Sequence, residues 1–155
     1  MTFITDRSLG TLAKWLRVLG YDTLVYEGDP DRSFLNRGKR EGRVVLTRKR
    51  DLARKQFSGE RMVLEPDRVE QQLAEVLHRY ALSLETGRLF SRCLRCNEEL
   101  LLIEKENVKK RVPPYVFETQ DIFTTCPRCR RIFWPGTHRE RAENWLRMRI
   151  RMDRP

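Results

Sequence analysis

Four cysteines fall into two Cys-x-x-Cys pairs, Cys93/Cys96 and Cys126/Cys129, with 29 residues between the pairs. No other feature restricts the fold of this 155-residue chain as sharply. Each pair can chelate through a tight knuckle, and two pairs bring four thiolates to a single tetrahedral Zn²⁺. A site closed by four thiolates leaves no position open for substrate, so zinc there is structural. A redox Cys-x-x-Cys is the competing use, but redox chemistry needs one pair and not two matched ones. The segment around the cysteines is basic and poor in apolar residues, and metal binding can supply the folding energy that such a segment lacks. His138 is a fifth candidate ligand, although capping the last helix or packing beside Trp134 accounts for it better.

The compartment decides whether cysteines serve as metal ligands or as disulfides. No apolar run approaches the roughly 20 residues needed to span a bilayer. The N-terminal Met1-Thr2-Phe3-Ile4-Thr5-Asp6 lacks the charged-then-apolar pattern of a signal peptide. The chain is therefore expected in the cytoplasm, with no membrane partner and with its thiols reduced.

Charge narrows the partner. The net charge is +10, with 32 Lys and Arg against 22 Asp and Glu. Both halves are basic: residues 1–88 carry 17 basic and 13 acidic side chains, and residues 89–155 carry 15 and 9. Such an excess attracts polyanions through phosphate contacts and counterion release. A solvated basic surface without a partner is the plainer reading of the same numbers.

Hydrophobic periodicity organises residues 1–88. Thr2 to Thr5 reads as a strand ending at Asp6. Ser8 is a candidate N-cap for a helix carrying Leu9, Leu12, Ala13, Leu16 and Leu19 on one face, and Gly20 stops it. Thr23 to Tyr26 is a second strand. Asp31 can cap a helix running to about Glu41, with Gly42 closing it before a strand from Arg43 to Leu46. Leu52 to Phe57 reads as a short helix, Arg61 to Leu64 as a fourth strand, and Pro66 opens a helix with Val69, Leu73, Val76, Leu77 and Tyr80 on one face. Strands alternating with helices at this spacing imply a small, mostly parallel sheet covered by helices. In such sheets function gathers at the carboxyl ends of the strands.

Residues 89–155 are built differently. Leu100 to Glu104 and Tyr115 to Phe123 are strand-like, Pro113-Pro114 is a break, and a basic helix is expected from about Arg139 to Met152. The expected organisation is thus an α/β domain over 1–88, then a four-cysteine zinc ribbon with a C-terminal basic helix over 89–155.

Three acids follow strand ends: Asp6 after the first, Asp31 after the second, Asp51 after the third. Gathered around one Mg²⁺ or Mn²⁺, they would hold an ion that binds substrate phosphate and activates water. Each acid also has a simpler role. Asp31 can be only a helix cap, Asp6 can pair with Arg7 or Arg48, and Asp51 can be an exposed first-turn acid. Three cations, Arg48, Lys49 and Arg50, crowd the turn between Thr47 and Asp51. With Arg7, Lys14 and Arg17 they are the candidate phosphate contacts of the first segment. In the second, Arg147, Arg149 and Arg151 belong to a cationic stripe that also takes in Arg141 and Arg154. Phe133, Trp134 and Trp145 could stack on unpaired bases, although residues of this kind are more often core.

The run Phe3-Ile4-Thr5-Asp6-Arg7-Ser8-Leu9-Gly10, the stretches Leu12 to Arg17 and Leu19 to Thr23, and Glu41 to Arg48 resemble the Mut7-C family. So do the knuckle from Ser91 to Asn97 and the run Phe133-Trp134-Pro135-Gly136-Thr137-His138. The resemblance spans nearly the whole chain. It implies a PIN-like ribonuclease domain followed by a zinc ribbon. It also implies that Asp6 is the first metal-binding acid, that Asp31 is the acid at the next helix start, and that Thr47 with the acids after it forms the third corner. The chain departs from the PIN-like pattern at one point: an acid commonly stands two residues after that threonine, and here the residue is Lys49. Asp51 is the acid left in the turn, and an ammonium beside a metal site opposes cation binding. Two readings follow. One is a metal-dependent endoribonuclease using Asp6, Asp31 and Asp51 with Arg48 or Lys49 on phosphate. The other is a non-catalytic RNA-binding protein, acting on tRNA or ribosomal RNA through the same scaffold and the basic ribbon.

Overall fold

The computed structural model describes residues 1–150. The chain divides into two compact units, Met1–Asn97 and Glu98–Pro155, the second described to residue 150. The division falls after the first cysteine pair, so Cys93 and Cys96 belong with the sheet domain.

In the first unit the elements run β1 (Thr2–Asp6), α1 (Gly10–Val18), β2 (Asp22–Tyr26), α2 (Arg32–Arg40), β3 (Val44–Thr47), α3 (Asp51–Arg54), β4 (Arg61–Val63) and α4 (Val69–Arg79). The four strands form one sheet in the order β2-β1-β3-β4. Every pairing is parallel, with Asp6 beside Tyr26, Thr5 beside Leu46 and Thr47 beside Val63. Successive strand residues point to opposite faces, and both faces are covered. Ile4 joins Phe34, Leu35, Val45 and Leu52 in a buried cluster on the side of α2 and α3. Phe3 meets the rings of Tyr21 and Tyr80 edge-on at 6.2 and 5.9 Å, just beyond the ends of α1 and α4. Cover on both faces is why β3 is buried from Val44 to Thr47 and reads as a continuous apolar run instead of an alternating one.

The helix starts differ from expectation in instructive ways. Asp6, not Ser8, is the cap: its carboxylate accepts the Ser8 amide and holds a 3₁₀ turn, Arg7–Leu9, ahead of α1. Gly20 ends α1 as expected, at φ +84°, and a Cβ there would lie 2.5 Å from the Arg88 carbonyl oxygen. The last helix of this unit begins at Val69, not Pro66, whose carbonyl instead accepts from Gln72 Nε2 at 2.8 Å.

The second unit carries a three-stranded antiparallel sheet in the order β5-β6-β7, with β5 at Leu101–Ile103, β6 at Phe123–Thr125 and β7 at Ile132–Phe133. Its core is small: Val108, Val112, Val116 and Phe123, with Ile103, Phe117, Ile132 and Trp134 against them. The strand-like reading of Tyr115 to Phe123 is corrected here. The segment opens as a helix, α5 (Pro114–Thr119), and becomes strand only at Phe123. Pro114 occupies the first helical position, where its missing N–H removes no internal bond. The basic helix, α6, spans Thr137–Arg149. Its expected continuation to Met152 lies outside the described residues.

Candidate functional site

In the order β2-β1-β3-β4 the chain leaves β1 toward β2 and returns to β3 on the other side. The carboxyl ends of β1 and β3 are therefore the switch point of the sheet, where connections diverge and open a crevice. A cavity of about 360 Å³ lies there, lined by Asp6, Arg7 and Ser8 after β1, Gly28 and Pro30 after β2, and Arg48 and Lys49 after β3. Its lining holds one carboxylate and three cations.

Asp6 is 3 % exposed and closely held. One carboxylate oxygen accepts from the Ser8 amide at 2.9 Å and from the Ser8 hydroxyl, and the other accepts from the Thr47 hydroxyl. Thr47 Oγ1 in turn accepts the Lys49 amide at 3.1 Å, which shapes the turn that carries the cations. Thr47 thus ties the two strand ends together. Ser8, expected only as a helix cap, lines the cavity, as do Gly28 and Pro30 of the turn after β2. Gly28 carries a usable signal in retrospect: a Cβ there would lie 2.8 Å from the Tyr26 ring, so the loop needs a residue without one.

Asp31 and Asp51 do not line this cavity. Asp31 caps α2, its Oδ1 accepting the Ser33 amide at 2.8 Å and the Phe34 amide at 3.4 Å. Asp51 is the exposed first residue of α3 and lies 3.8 Å from the Lys49 ammonium. Among the described residues, the four cysteines are the one group of three or more metal-capable side chains drawn close enough to hold an ion.

The expected cationic residues separate into several environments. Arg7 and Lys49 are exposed at the cavity, and Lys14 is exposed on α1. Arg48 reaches past the cavity to the Asp67 carboxylate and the Glu65 carbonyl, while its buried Nε has no partner among the described residues. Arg50 points to Glu65 at 3.5 Å. Arg17 is the exception: it is 7 % exposed and donates to the carbonyls of Thr23, Leu94 and Arg95. It is not part of the solvent-facing cationic surface. In the second unit Arg147 is exposed and lies 3.9 Å from Glu143, and Arg149 is exposed in the last turn of α6. Arg151 lies outside the described residues. Trp134 packs against the small core, its ring 6.5 Å from that of Phe123.

The cysteines form the second site. The ligand sulfur of each of the four lies within 4.8 Å of every other. Four sulfurs around a tetrahedral zinc with bonds of about 2.3 Å stand roughly 3.8 Å apart, so the cluster has the size such an ion needs. The two pairs also share one local geometry. The Cys96 amide approaches Cys93 Sγ at 3.4 Å, and the Cys129 amide approaches Cys126 Sγ at 3.5 Å. The residue after each pair, Asn97 or Arg130, sits at φ +66° or +63° and returns its amide to the carbonyl of the first cysteine, at 2.8 or 2.9 Å. Amides aimed at sulfur stabilise thiolate, and the left-handed residue closes the knuckle. The donor set fits a soft, four-coordinate metal such as zinc. His138 stands exposed in the first turn of α6 and is not among these ligands.

Around the first pair runs a polar network that sequence reading missed. Asp22 receives both Arg43 Nη atoms, at 2.7 and 3.2 Å, and Asn97 Nδ2 at 2.7 Å. Asn97 Oδ1 accepts the Thr23 amide at 2.9 Å, and Arg92 bonds the Gly20 and Asn97 carbonyls. Burial raises the Asp22 carboxyl, but the bonds from Arg43 and Asn97 outweigh it and hold the group below its ordinary value.

Among the described residues no helix is long and apolar enough to cross a membrane. A family model described as the Mut7-C RNAse domain matches residues 1–146. No curated protein matches the chain, and no solved structure does.

Proposed function

Because the chain belongs to the Mut7-C RNAse domain family, we propose that it acts on RNA, with a backbone phosphate held in the cavity between Asp6 and the turn after β3. The observation that carries this reading is the lining itself: three cations and one carboxylate at the switch point of a parallel sheet. Arg7 and Lys49 supply exposed positive charge, and Arg48 Nε is a buried donor without a partner among the described residues. A phosphate oxygen satisfies such a donor. The four cysteines hold structural zinc, closing the knuckles and taking no part in chemistry.

The residues present do not fit the three-acid Mg²⁺ or Mn²⁺ site that the sequence raised. Asp31 is engaged as a helix cap, Asp51 faces Lys49, and only Asp6 reaches the cavity. Phosphate binding is therefore the primary reading, with tRNA and ribosomal RNA as the natural structured candidates. Cleavage is a second reading, favoured by one observation: Asp6 is a buried carboxylate fixed by Ser8 and Thr47 beside the phosphate position.

Two substitutions test the pair. Lys49→Ala is expected to weaken RNA binding and to flatten log K against log salt by about 0.7–0.9, the contribution of one phosphate contact. Unchanged affinity and slope in both Lys49→Ala and Arg7→Ala would remove the cavity from the RNA surface. Incubation of RNA with Mn²⁺ or Mg²⁺ decides cleavage. Metal-dependent hydrolysis abolished by Asp6→Asn and raised by Lys49→Asp, which restores the expected acid, makes the protein a nuclease. If the parent and Lys49→Asp are both inert while Asp6→Asn still binds, the site is a phosphate grip on a ribonuclease scaffold.

A further inference from the structure

Arg17 stands in the last turn of α1, inside the first unit and 7 % exposed. A guanidinium does not shed its proton in a protein, so a buried one requires an anion nearby. Its hydrogen bonds do not provide one. Nε donates to the Thr23 carbonyl at 2.9 Å, and Nη1 donates to the Leu94 carbonyl at 2.7 Å and the Arg95 carbonyl at 3.3 Å. Among the described residues Arg17 forms no ion pair with a carboxylate. Carbonyl oxygens satisfy N–H groups and leave the net charge standing.

The acidic groups around it are few. Burial pushes the guanidinium below its ordinary value, and Cys93, then Asp22, then Cys96 oppose that shift. Asp22 is already committed to the two Arg43 nitrogens and to Asn97. The cysteines remain. Leu94 and Arg95, whose carbonyls Arg17 holds, are the two residues between Cys93 and Cys96, so the guanidinium lies against the knuckle itself. A divalent ion with four thiolates carries a net charge of about −2, and two of these sulfur-bearing residues, Cys93 and Cys126, are fully buried. With an ion bound, a dianionic centre would stand beside a buried cation that has no carboxylate ion pair among the described residues.

We propose that Arg17 is the counter-charge of the cysteine metal centre, a positioning residue that holds the first knuckle by its carbonyls and offsets the excess negative charge of the thiolates. The inference rests on the reading of the four cysteines as a metal site. It also explains why a cation would be buried at the end of α1 when the chain has so much surface to put one on.

The test uses the full chain and two metals. Co²⁺ reports the ligand set through its visible absorption, and Zn²⁺ affinity is measured by competition with a chromophoric chelator. Arg17→Gln is expected to keep the four-thiolate Co²⁺ spectrum and to bind Zn²⁺ some 10–100-fold more weakly, the usual effect of losing a partner just outside the ligands. Arg17→Lys restores the charge without the forked geometry and should recover most of the loss. Equal losses in Arg17→Gln and Arg17→Lys would reduce Arg17 to a hydrogen-bonded anchor and overturn the proposal, as would unchanged affinity in Arg17→Gln. If Arg17→Gln folds only with metal bound, its rate of zinc transfer to chelator replaces the affinity. Faster transfer than in the parent supports the proposal, and an unchanged rate overturns it. A parent protein with no four-thiolate Co²⁺ spectrum would instead overturn the reading of the cysteines, an outcome distinct from a normal spectrum that Arg17→Gln leaves untouched.

Discussion

Single side chains in this protein are decided by what surrounds them more than by where they fall in the sequence. Asp6, Asp31 and Asp51 all follow strand ends, and that much is legible from periodicity. Their uses differ because Asp6 alone is enclosed by Ser8 and Thr47, while Asp31 meets free helix amides. No spacing rule separates these cases, since both begin with an acid before a helix. Arg17 and Asp22 were harder still: besides Thr23 and Arg43, their partners are Leu94, Arg95 and Asn97, more than 70 positions away. Asp22 offers a measurable consequence. Its folded value is depressed, so the folded state binds fewer protons than the unfolded chain in the acid range. Its contribution is thus complete above the ordinary carboxylate value and is lost as pH falls through the lower folded value. Asp22→Asn leaves the half-buried Arg43 with Glu41, 3.1 Å from its Nε, as its one carboxylate partner among the described residues, and should cost on the order of 1–3 kcal/mol near neutrality. Urea titrations at a series of pH values should show the variant and parent converging as the pH drops below about 4. A gap that stays constant into acid would mean that the Arg43 pair contributes nothing through charge.

Elements were more legible than residues, because the alternation of β and α segments leaves a strong periodic trace over the first 80 residues. The failures share a cause. Tyr115 to Phe117 is rich in strand-forming side chains, and the proline that sets it into a helix acts through backbone geometry, not through propensity. Two predictions belong to α2. Asp31→Ala removes a cap that serves two amides and should destabilise the first unit by about 0.5–2 kcal/mol, whereas Asp31→Ser keeps an acceptor and should cost far less. If RNA cleavage occurs and Asp31→Ser abolishes it without loss of stability, the aspartate has a second role beyond the helix. Gly38 faces the sheet in the same helix, where an added Cβ would come 2.3 Å from Val45 Cγ2 and 3.3 Å from Ile4 Cγ2. Alanine is the better helix former by about 1 kcal/mol, yet overpacking at a fully buried contact costs about 1–3 kcal/mol. Gly38→Ala should therefore lower the urea midpoint. A raised midpoint would show that α2 can shift outward on β1 and β3 at little cost.

For the molecule as a whole, the ribbon and the sheet domain read in sequence as two separate folding units, and loss of zinc would then be expected to disturb residues 89–155 alone. The structure gives a reason to expect more. Cys93 and Cys96 fall within the first unit, and the residue that closes their knuckle, Asn97, accepts the amide of Thr23 in β2. Thr23 is fully buried in an edge strand whose other neighbour is β1. On the metal-site reading, chelation removes the cross-link among the sulfurs, and the knuckle is left to its internal bonds, the Arg17 and Arg92 contacts and the Asn97 bonds to Thr23 and Asp22. With no divalent ion to reduce the charge, thiolates held close together repel, and protonated thiols no longer attract the buried guanidinium. Either way the contacts that pin Asn97 weaken, and the amide of Thr23 loses protection. Hydrogen exchange on the full chain before and after chelation should therefore show faster exchange at Thr23 as well as in Leu101–Ile103 and Phe123–Thr125, with Ile4 and Val45 in the centre of the sheet little changed. Faster exchange confined to residues 98–150 would mean that the first knuckle keeps its shape without metal and that α1 and β2 do not sense the ion. Loss of protection throughout the parallel sheet would mean instead that the metal is required for the first unit to fold at all.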